Sequence, residues 1–246
     1  MIEIGAVNKS YNNAKIKALD TISLSIPNGC IFGFLGPNGA GKTTTLKLIT
    51  GSLEADSGTV SVDGYSVATD SLKAKRAIGF VPDNPELFSR LKGIEYLNFI
   101  ADVYDIGRNE RIASIERYAT MFEIADVLNA KIGGYSRGMK QKLMIVGSLL
   151  PDPQNWLLDE PMVGLDPHAA FKLKELMRER ANYGKCVFFS THVMEVAEKV
   201  CDMLAIIHKG KIVFTGSLEA LRELKGKETS LESLFLELVD DKEQMS

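Results

Sequence analysis

Gly36-Pro37-Asn38-Gly39-Ala40-Gly41-Lys42-Thr43-Thr44 follows the apolar run Cys30-Ile31-Phe32-Gly33-Phe34-Leu35 and leads into Thr45-Leu46-Lys47-Leu48-Ile49 before Gly51. That order predicts a buried strand, a glycine-rich turn and a helix in immediate succession. Glycines at such a turn let backbone N–H groups converge on an anion, and the helix N-terminus adds about half a positive charge at the same point. In this G-x-x-x-x-G-K-[ST] pattern Lys42 reaches the β- and γ-phosphates of a nucleoside triphosphate, while the Thr43 hydroxyl takes a place on Mg2+. A glycine-rich turn that happens to carry a lysine is the plain alternative. A chance match in a chain of this length is on the order of 1% before the strand and helix context is demanded, which favours the phosphate cradle.

The totals narrow the setting. The chain has 246 residues, 45% hydrophobic and 25% charged, as expected of one large globular domain or of one carrying an insert. With 29 Lys and Arg against 32 Asp and Glu the net charge is -3, so no global field draws in nucleic acid or an anionic membrane. No apolar run approaches the roughly 18 residues that span a bilayer, and Met1-Ile2-Glu3-Ile4-Gly5 lacks the pattern of a secretory leader, so a cytoplasmic location is expected. Cys30, Cys186 and Cys201 are widely spaced and set among apolar residues, which suits reduced core thiols. His168, His192 and His208 show no metal-ligand spacing, and no zinc is expected.

Outward from the glycine turn, strands and helices alternate. Ile2, Ile4 and Ala6 alternate with polar positions, as does the stretch from Leu19 to Ile26; Gly58 to Gly64 ends in an Asp-Gly turn, and Ala77 to Val81 is closed by Pro82. From about Glu86 to Leu150 the spacing turns helical, with Leu97, Ile100, Ala101 and Tyr104 on one face. Strand character returns at Trp156-Leu157-Leu158, Cys186 to Phe189 and Met203 to Ile207, separated by helices around His168 to Tyr183 and Val193 to Val200. This is an α/β pattern with a mainly parallel sheet: a nucleotide-binding core over 1–85 and 151–246, interrupted by a helical subdomain over 86–150. Thr229-Ser230-Leu231-Glu232 has a capping-box pattern before Leu231, Leu234, Phe235 and Leu238, a face that either packs on the domain or meets a partner.

Asp159 and Glu160 follow the strand Trp156-Leu157-Leu158. A carboxylate at the C-terminal end of a strand can hold Mg2+, directly or through water, beside a phosphate loop, and the next one can polarise an attacking water. Earlier in the chain lies Tyr135-Ser136-Arg137-Gly138-Met139-Lys140-Gln141, upstream of Asp159 and opening a predicted helix. It resembles the signature usually written L-S-G-G-Q, and the chain from about Ile2 to Val239 strongly resembles the ATP-binding subunits of ABC transporters.

That resemblance implies a P-loop NTPase of the ABC cassette type, with an antiparallel β subdomain at the N-terminus and the signature in the inserted helical subdomain. It implies ATP hydrolysis with Mg2+, with Lys42, Glu160 and His192 catalytic and Thr43, Asp83 and Asp159 at the metal. Ser136 and the Gly138 backbone would clamp the γ-phosphate of ATP bound by a second subunit, across a head-to-tail homodimer or heterodimer. Tyr11 matches the aromatic that stacks on adenine, Gly164-Leu165-Asp166 the loop that meets the opposite subunit, and Ser190-Thr191-His192 the histidine loop. A half-buried tyrosine, a plain turn and a structural histidine are the corresponding bland readings. A separate integral membrane permease is the implied partner, holding the cassette at the inner face of the cell membrane. Phe88, Leu91, Leu97 and Tyr104 either line its docking groove or belong to the core.

Several positions depart from the family pattern. Asp83 stands where Gln is usual; it could bind Mg2+ but cannot donate to water. Tyr135 and Met139 replace the usual Leu and Gln of the signature, and Arg137 has no assigned role. The Asp83 position and the signature wording look most like bacterial exporter-type (ABC-2) cassettes. A soluble ABC ATPase acting on ribosomes or DNA is the competing function. Such relatives tend to carry paired cassettes, long coiled-coil inserts or basic extensions, against one cassette and an isoelectric point near 5.7 here.

Overall fold

β1 (Ile2–Tyr11) and β2 (Ile16–Ile26) bury Ile2, Ile4, Val7, Leu19, Ile22, Leu24 and Ile26 and leave most intervening side chains in water. Two-residue alternation puts Ala6 inward, but the pairing shifts between Ile4 and Val7. Ala6 takes φ 48 and turns outward, and Val7 fills the core position instead. β4 (Ser57–Val62) pairs with the other edge of β1, and β5 (Tyr65–Ser66) returns through the Asp63-Gly64 turn, giving an antiparallel sheet ordered β2-β1-β4-β5. The chain is described here from a computed structural model, which covers residues 1–11, 16–84, 88–225 and 230–244, without the side chains at 224, 225 and 239–244.

A second sheet has the order β10-β9-β3-β8-β7-β6, from β3 (Ile31–Leu35), β6 (Ile78–Val81), β7 (Asn155–Asp159), β8 (Cys186–Thr191), β9 (Met203–His208) and β10 (Lys211–Gly216). All neighbours are parallel except β9 and β10, which form a hairpin. Alternate side chains of the central strands feed two separate cores. Phe32, Phe34, Leu157 and Phe188 face β1, β2 and α1 (Lys42–Ile49). Ile31, Leu35, Trp156, Leu158, Val187 and Phe189 face the helices of the other side.

Those helices include α3 (Gly93–Val103), α4 (Arg108–Met121) and α5 (Arg137–Leu149), together with α6 (Pro167–Asn182) and α7 (Met194–Val200). α2 (Ser71–Arg76) packs near β5 and β6. α8 (Leu218–Lys225) follows β10, and α9 (Leu231–Gln244) buries Leu231 and Leu234 and packs Phe235 and Leu238 against the same core. The last helix thus rests on its own chain. Its N-terminal hydroxyl comes from Ser230, which accepts the Ser233 N–H at 3.3 Å, while Thr229 lies outside the described residues. Leu97 is fully buried, so it is a core residue rather than part of a groove, whereas Phe88 is exposed and Leu91 and Tyr104 are half-buried. Elements β5, α2, β10 and α8 had no clear signature in the sequence.

The hairpin turn between β9 and β10 ties the two sheets together. Gly210 N–H donates to Ala40 O at 3.0 Å, and Gly210 O accepts the Asp20 N–H at 2.8 Å. A Cβ at Gly210 would stand 2.8 Å from Ala18 O, so β2 approaches too closely for any larger residue.

Candidate nucleotide site

β3 ends at Leu35 and α1 begins at Lys42, so the loop from Gly36 to Gly41 lies at the C-terminal edge of the parallel sheet, where ligands of such sheets are received. Gly41 forms the N-cap with φ 116, and a Cβ there would meet Leu19 Cδ2 at 2.7 Å and Ala18 O at 2.9 Å. Only glycine permits both that dihedral and that contact. Lys42 is buried, its ammonium donating to Gly36 O at 2.7 Å and Pro37 O at 3.3 Å. The cation is therefore coiled back into the loop. Thr43 is exposed beside it and Thr44 half-exposed. Pro37, Asn38 and Gly39 form the exposed crest of the loop and Ala40 its buried floor.

The next strand ends bring acid to this cation. Glu160 Oε1 lies 3.3 Å from Lys42 Nζ and 3.0 Å from His192 Nδ1, so one carboxylate oxygen is shared between the loop lysine and the end of β8. Glu160 has φ 48, a left-handed conformation that costs a non-glycine residue of order 1–3 kcal/mol. Its backbone N–H is held by Ser190, reaching the carbonyl at 3.2 Å and the hydroxyl at 3.1 Å. The same Ser190 hydroxyl donates to Asp159 Oδ1 at 2.5 Å. Ser190 thus orients both acids at once. The sequence reading placed Ser190 in a loop with His192 but gave it no role; its position next to Thr191-His192 at a strand end was the available signal.

Asp159 is fully buried, and that burial pushes its carboxyl above the ordinary carboxylate range. Hydrogen bonds from Ser190 and Thr43 act against the shift, and the nearby negative charges of Asp83 and Glu160 add to it. An acid stored in this way gains from a divalent cation. Among the described residues no cluster of three or more His, Cys, Asp or Glu forms a ready-made cage. Mg2+ asks for none, since it binds through one or two carboxylates, phosphate oxygens and water. One buried carboxylate touching an exposed hydroxyl fits that ion.

Tyr11 ends β1 with its hydroxyl 3.4 Å from Thr44 Oγ1, which sets a partly exposed ring beside the phosphate loop. Ser136 caps α5 by accepting the Met139 N–H at 3.2 Å, as its position before the helix predicts. Tyr135 has a structural use: its hydroxyl donates to Val127 O at 2.6 Å, and a Cβ at Gly93 would be 2.5 Å from the Tyr135 hydroxyl oxygen. Gly138 packs on the turn before α6, where a Cβ would come within 2.6 Å of Gly164 O. Asp166 caps α6 through Ala169 N–H at 2.9 Å and pairs with Lys142 of α5 at 2.7 Å. The lysine partner and the backbone bond hold the Asp166 carboxyl down to about 2. Asp83, next to the end of β6, lies 3.6 Å from Arg137. Neither ion pair was foreseen from the sequence, since both join ordinary charged residues far apart in the chain.

Comparison with known proteins places this geometry. The family described as "ABC transporter" matches residues 19–163. The ABC transporter ATP-binding protein NatA of Bacillus subtilis (strain 168) is 34% identical over 231 residues, covering 93% of this chain and 94% of that protein. A solved structure described as the ATP-binding subunit of an ABC transporter aligns with TM-score 0.92 and 32% identity over 97% of this chain and 99% of its own. The ATP-binding cassette MJ0796, solved as a dimer in a post-hydrolysis state bound to ADP and Pi, aligns with TM-score 0.79 and 26% identity over 89% of this chain and 99% of its own. The resemblance carried by the glycine loop and the signature turn therefore extends through both sheets and the helices between them, and the chain belongs to the ABC transporter family as an ATP-binding subunit with the P-loop cassette fold.

Proposed function

We propose that the chain hydrolyses ATP within a head-to-tail dimer of cassettes and that closure and opening of this dimer drive export through a separate integral membrane permease. The observation that carries the reading is Glu160 Oε1, poised between Lys42 and His192 at the mouth of the phosphate loop. In this reading the loop amides and Lys42 hold the β- and γ-phosphates, and Lys42 exchanges its carbonyl partners Gly36 and Pro37 for phosphate oxygens. Glu160 accepts a hydrogen bond from the attacking water and His192 steadies water and γ-phosphate. The water oxygen bonds to phosphorus as the bond from phosphorus to the ADP oxygen breaks, and the water gives up its proton to Glu160. Mg2+, when bound, neutralises charge on the β- and γ-oxygens; Thr43, Asp159 and Asp83 would hold it, directly or through water. Tyr11 stacks on adenine. Ser136 and the Gly138 N–H complete the site of the mate.

The division into a core of 1–85 and 151–246 and a signature subdomain of 86–150 belongs to the same reading. So does a cytoplasmic position on the inner face of the membrane, held there by the permease, with no nucleic-acid partner. No helix among the described residues is long and apolar enough to cross a membrane, and in this reading the membrane path belongs to the permease. The groove that would receive it lies between the Asp83 loop and the helical subdomain, where Leu91 and Tyr104 are half-buried, and beside α3 a cleft of about 370 Å3 is lined by Lys75, Phe80, Ile100 and the same Tyr104. At the nearby surface Phe88 and Phe99 stand exposed in an edge-on pair 6.1 Å apart.

Glu160→Gln tests the reading. Turnover is expected to fall by about 10² to 10⁴, and light scattering with saturating MgATP is expected to find a dimer. Undiminished turnover, or a protein that stays monomeric with nucleotide bound, overturns it.

A further inference from the structure

Two of the positions where this chain departs from the family pattern meet in space. Asp83 is an acid where Gln is usual, Arg137 is a cation in the signature turn, and their side chains approach to 3.6 Å. The setting explains why each needs the other. Arg137 is the first residue of α5, where the helix dipole opposes a cation, and the first turn of α5 carries no acid to offset it. Asp83 stands within electrostatic reach of buried Asp159, whose negative charge it reinforces. A cation on Asp83 relieves one, and an anion on Arg137 relieves the other.

The stem of Arg137 also lies across the turn that precedes α6. Its Cγ and Cδ are 3.5 Å from where a Cβ on Gly164 would stand. Beneath it, Gly138 is seated on the Gly164 carbonyl and Lys142 is paired with Asp166 at 2.7 Å. The start of α5 and the turn before α6 are thereby packed as one piece, and Arg137 is the arm of that piece that reaches the Asp83 loop.

We propose that Asp83 and Arg137 are a positioning pair that couples the two nucleotide sites of the dimer, one end sensing the nucleotide on its own phosphate loop and the other setting the signature turn offered to the mate. The inference rests on the dimeric reading above. Asp83 borders the Asp159 and Thr43 corner of its own site, while Ser136 and Gly138 belong to the opposite one. The pair is the short electrostatic path between them. Both side chains are about half exposed, 57% for Arg137 and 49% for Asp83, so the link is modest and reversible rather than a rigid strut.

The test compares the wild type with Arg137→Ala, Arg137→Lys, Asp83→Asn and the Arg137→Ala/Asp83→Asn double variant, reading the Hill coefficient and half-saturating ATP concentration of turnover. Arg137→Ala is expected to bring the Hill coefficient toward one and raise half-saturation by up to about fivefold. Arg137→Lys should restore cooperativity, and Arg137→Ala should add nothing once Asp83 is Asn. Unchanged cooperativity in Arg137→Ala, or effects that simply add in the double variant, overturns the pair. Amide hydrogen exchange on the nucleotide-free protein supplies a second arm, with faster exchange around Asp83 expected in Arg137→Ala. If the wild type turns over without cooperativity and Glu160→Gln stays monomeric, the dimeric reading fails, and exchange unaltered by Arg137→Ala then refutes the contact by itself.

Discussion

The phosphate-loop corner and the signature turn are built on opposite plans. At the first, Lys42, Asp159 and Glu160 are all buried, and each finds its partners within the same chain. At the second, the Ser136 hydroxyl caps its own helix, and Arg137 and Asp83 stand about half in water. On the proposed reading one is a finished device and the other an open half. Burial concentrates field and fixes geometry where bonds break, whereas exposure leaves a surface free to meet a second molecule. Substitutions in the two regions should therefore fail in different currencies, chemistry in the first and association in the second.

Asp159→Asn should give the largest effect and the sharpest contrast. Loss of a carboxylate that, on the proposed reading, holds Mg2+ beside the phosphates is expected to lower turnover by about 10² to 10³. Stability should move the other way. The carboxyl is raised by burial, so its ionised form at neutral pH costs the fold some stability, and a neutral amide still accepts the Ser190 hydroxyl. Thermal unfolding in metal-free buffer should show a higher Tm than wild type; a lower one would mean that the corner is not storing strain.

Ser190→Ala comes next, because one hydroxyl holds both acids. Turnover is expected to drop by about tenfold to a hundredfold, as for other groups that orient a metal ligand. Tm should fall as well, since Asp159 loses a donor in a buried place, at a cost of about 1–3 kcal/mol. Equal turnover in the two proteins would break the claim that Ser190 does the aiming.

In the open half, Gly138→Ala pushes a methyl group against the Gly164 carbonyl. Expected costs are about 1–3 kcal/mol in stability and a loss of MgATP-dependent dimer in a Glu160→Gln background, with nucleotide binding to the single protomer retained. A dimer of undiminished affinity would show that the turn tolerates remodelling.

The smallest effect concerns acid. Asp166 is held near 2, below its ordinary value, so its pairing with Lys142 contributes fully above the ordinary carboxylate range and is lost as pH falls through about 2. Between those limits the wild type should lose stability with falling pH more steeply than Asp166→Asn. Parallel acid unfolding curves for the two proteins would remove the ion pair from the account.

The same contrast separates what a linear chain discloses from what it hides. The glycine loop, the acids after Leu158 and the histidine after Thr191 were legible because local pattern and chemistry coincide there: strand, turn, then reactive group. Ser136 could be read as a helix cap for the same reason. The pairs Arg137 with Asp83 and Lys142 with Asp166 were not, since surface charges of that kind occur throughout the chain and only tertiary packing selects which ones meet. Helical spacing put Leu97 on the right face but could not say that the face was sealed on all sides. At Ala6 the alternation failed for a different reason, because a bulge is a property of two paired strands rather than of one.

The hairpin glycine at 210 has a wider consequence. Because its N–H grips Ala40 on one side and its C=O grips Asp20 on the other, the sheet that holds Tyr11 and the loop that ends in Lys42 are riveted at a fixed span. On the proposed reading the base of the nucleotide is measured from one jaw and its terminal phosphate from the other. On that reading the molecule works as a caliper whose gauge is set by main chain, so a changed side chain at position 11 alters how firmly the base is gripped while the jaw opening stays the same.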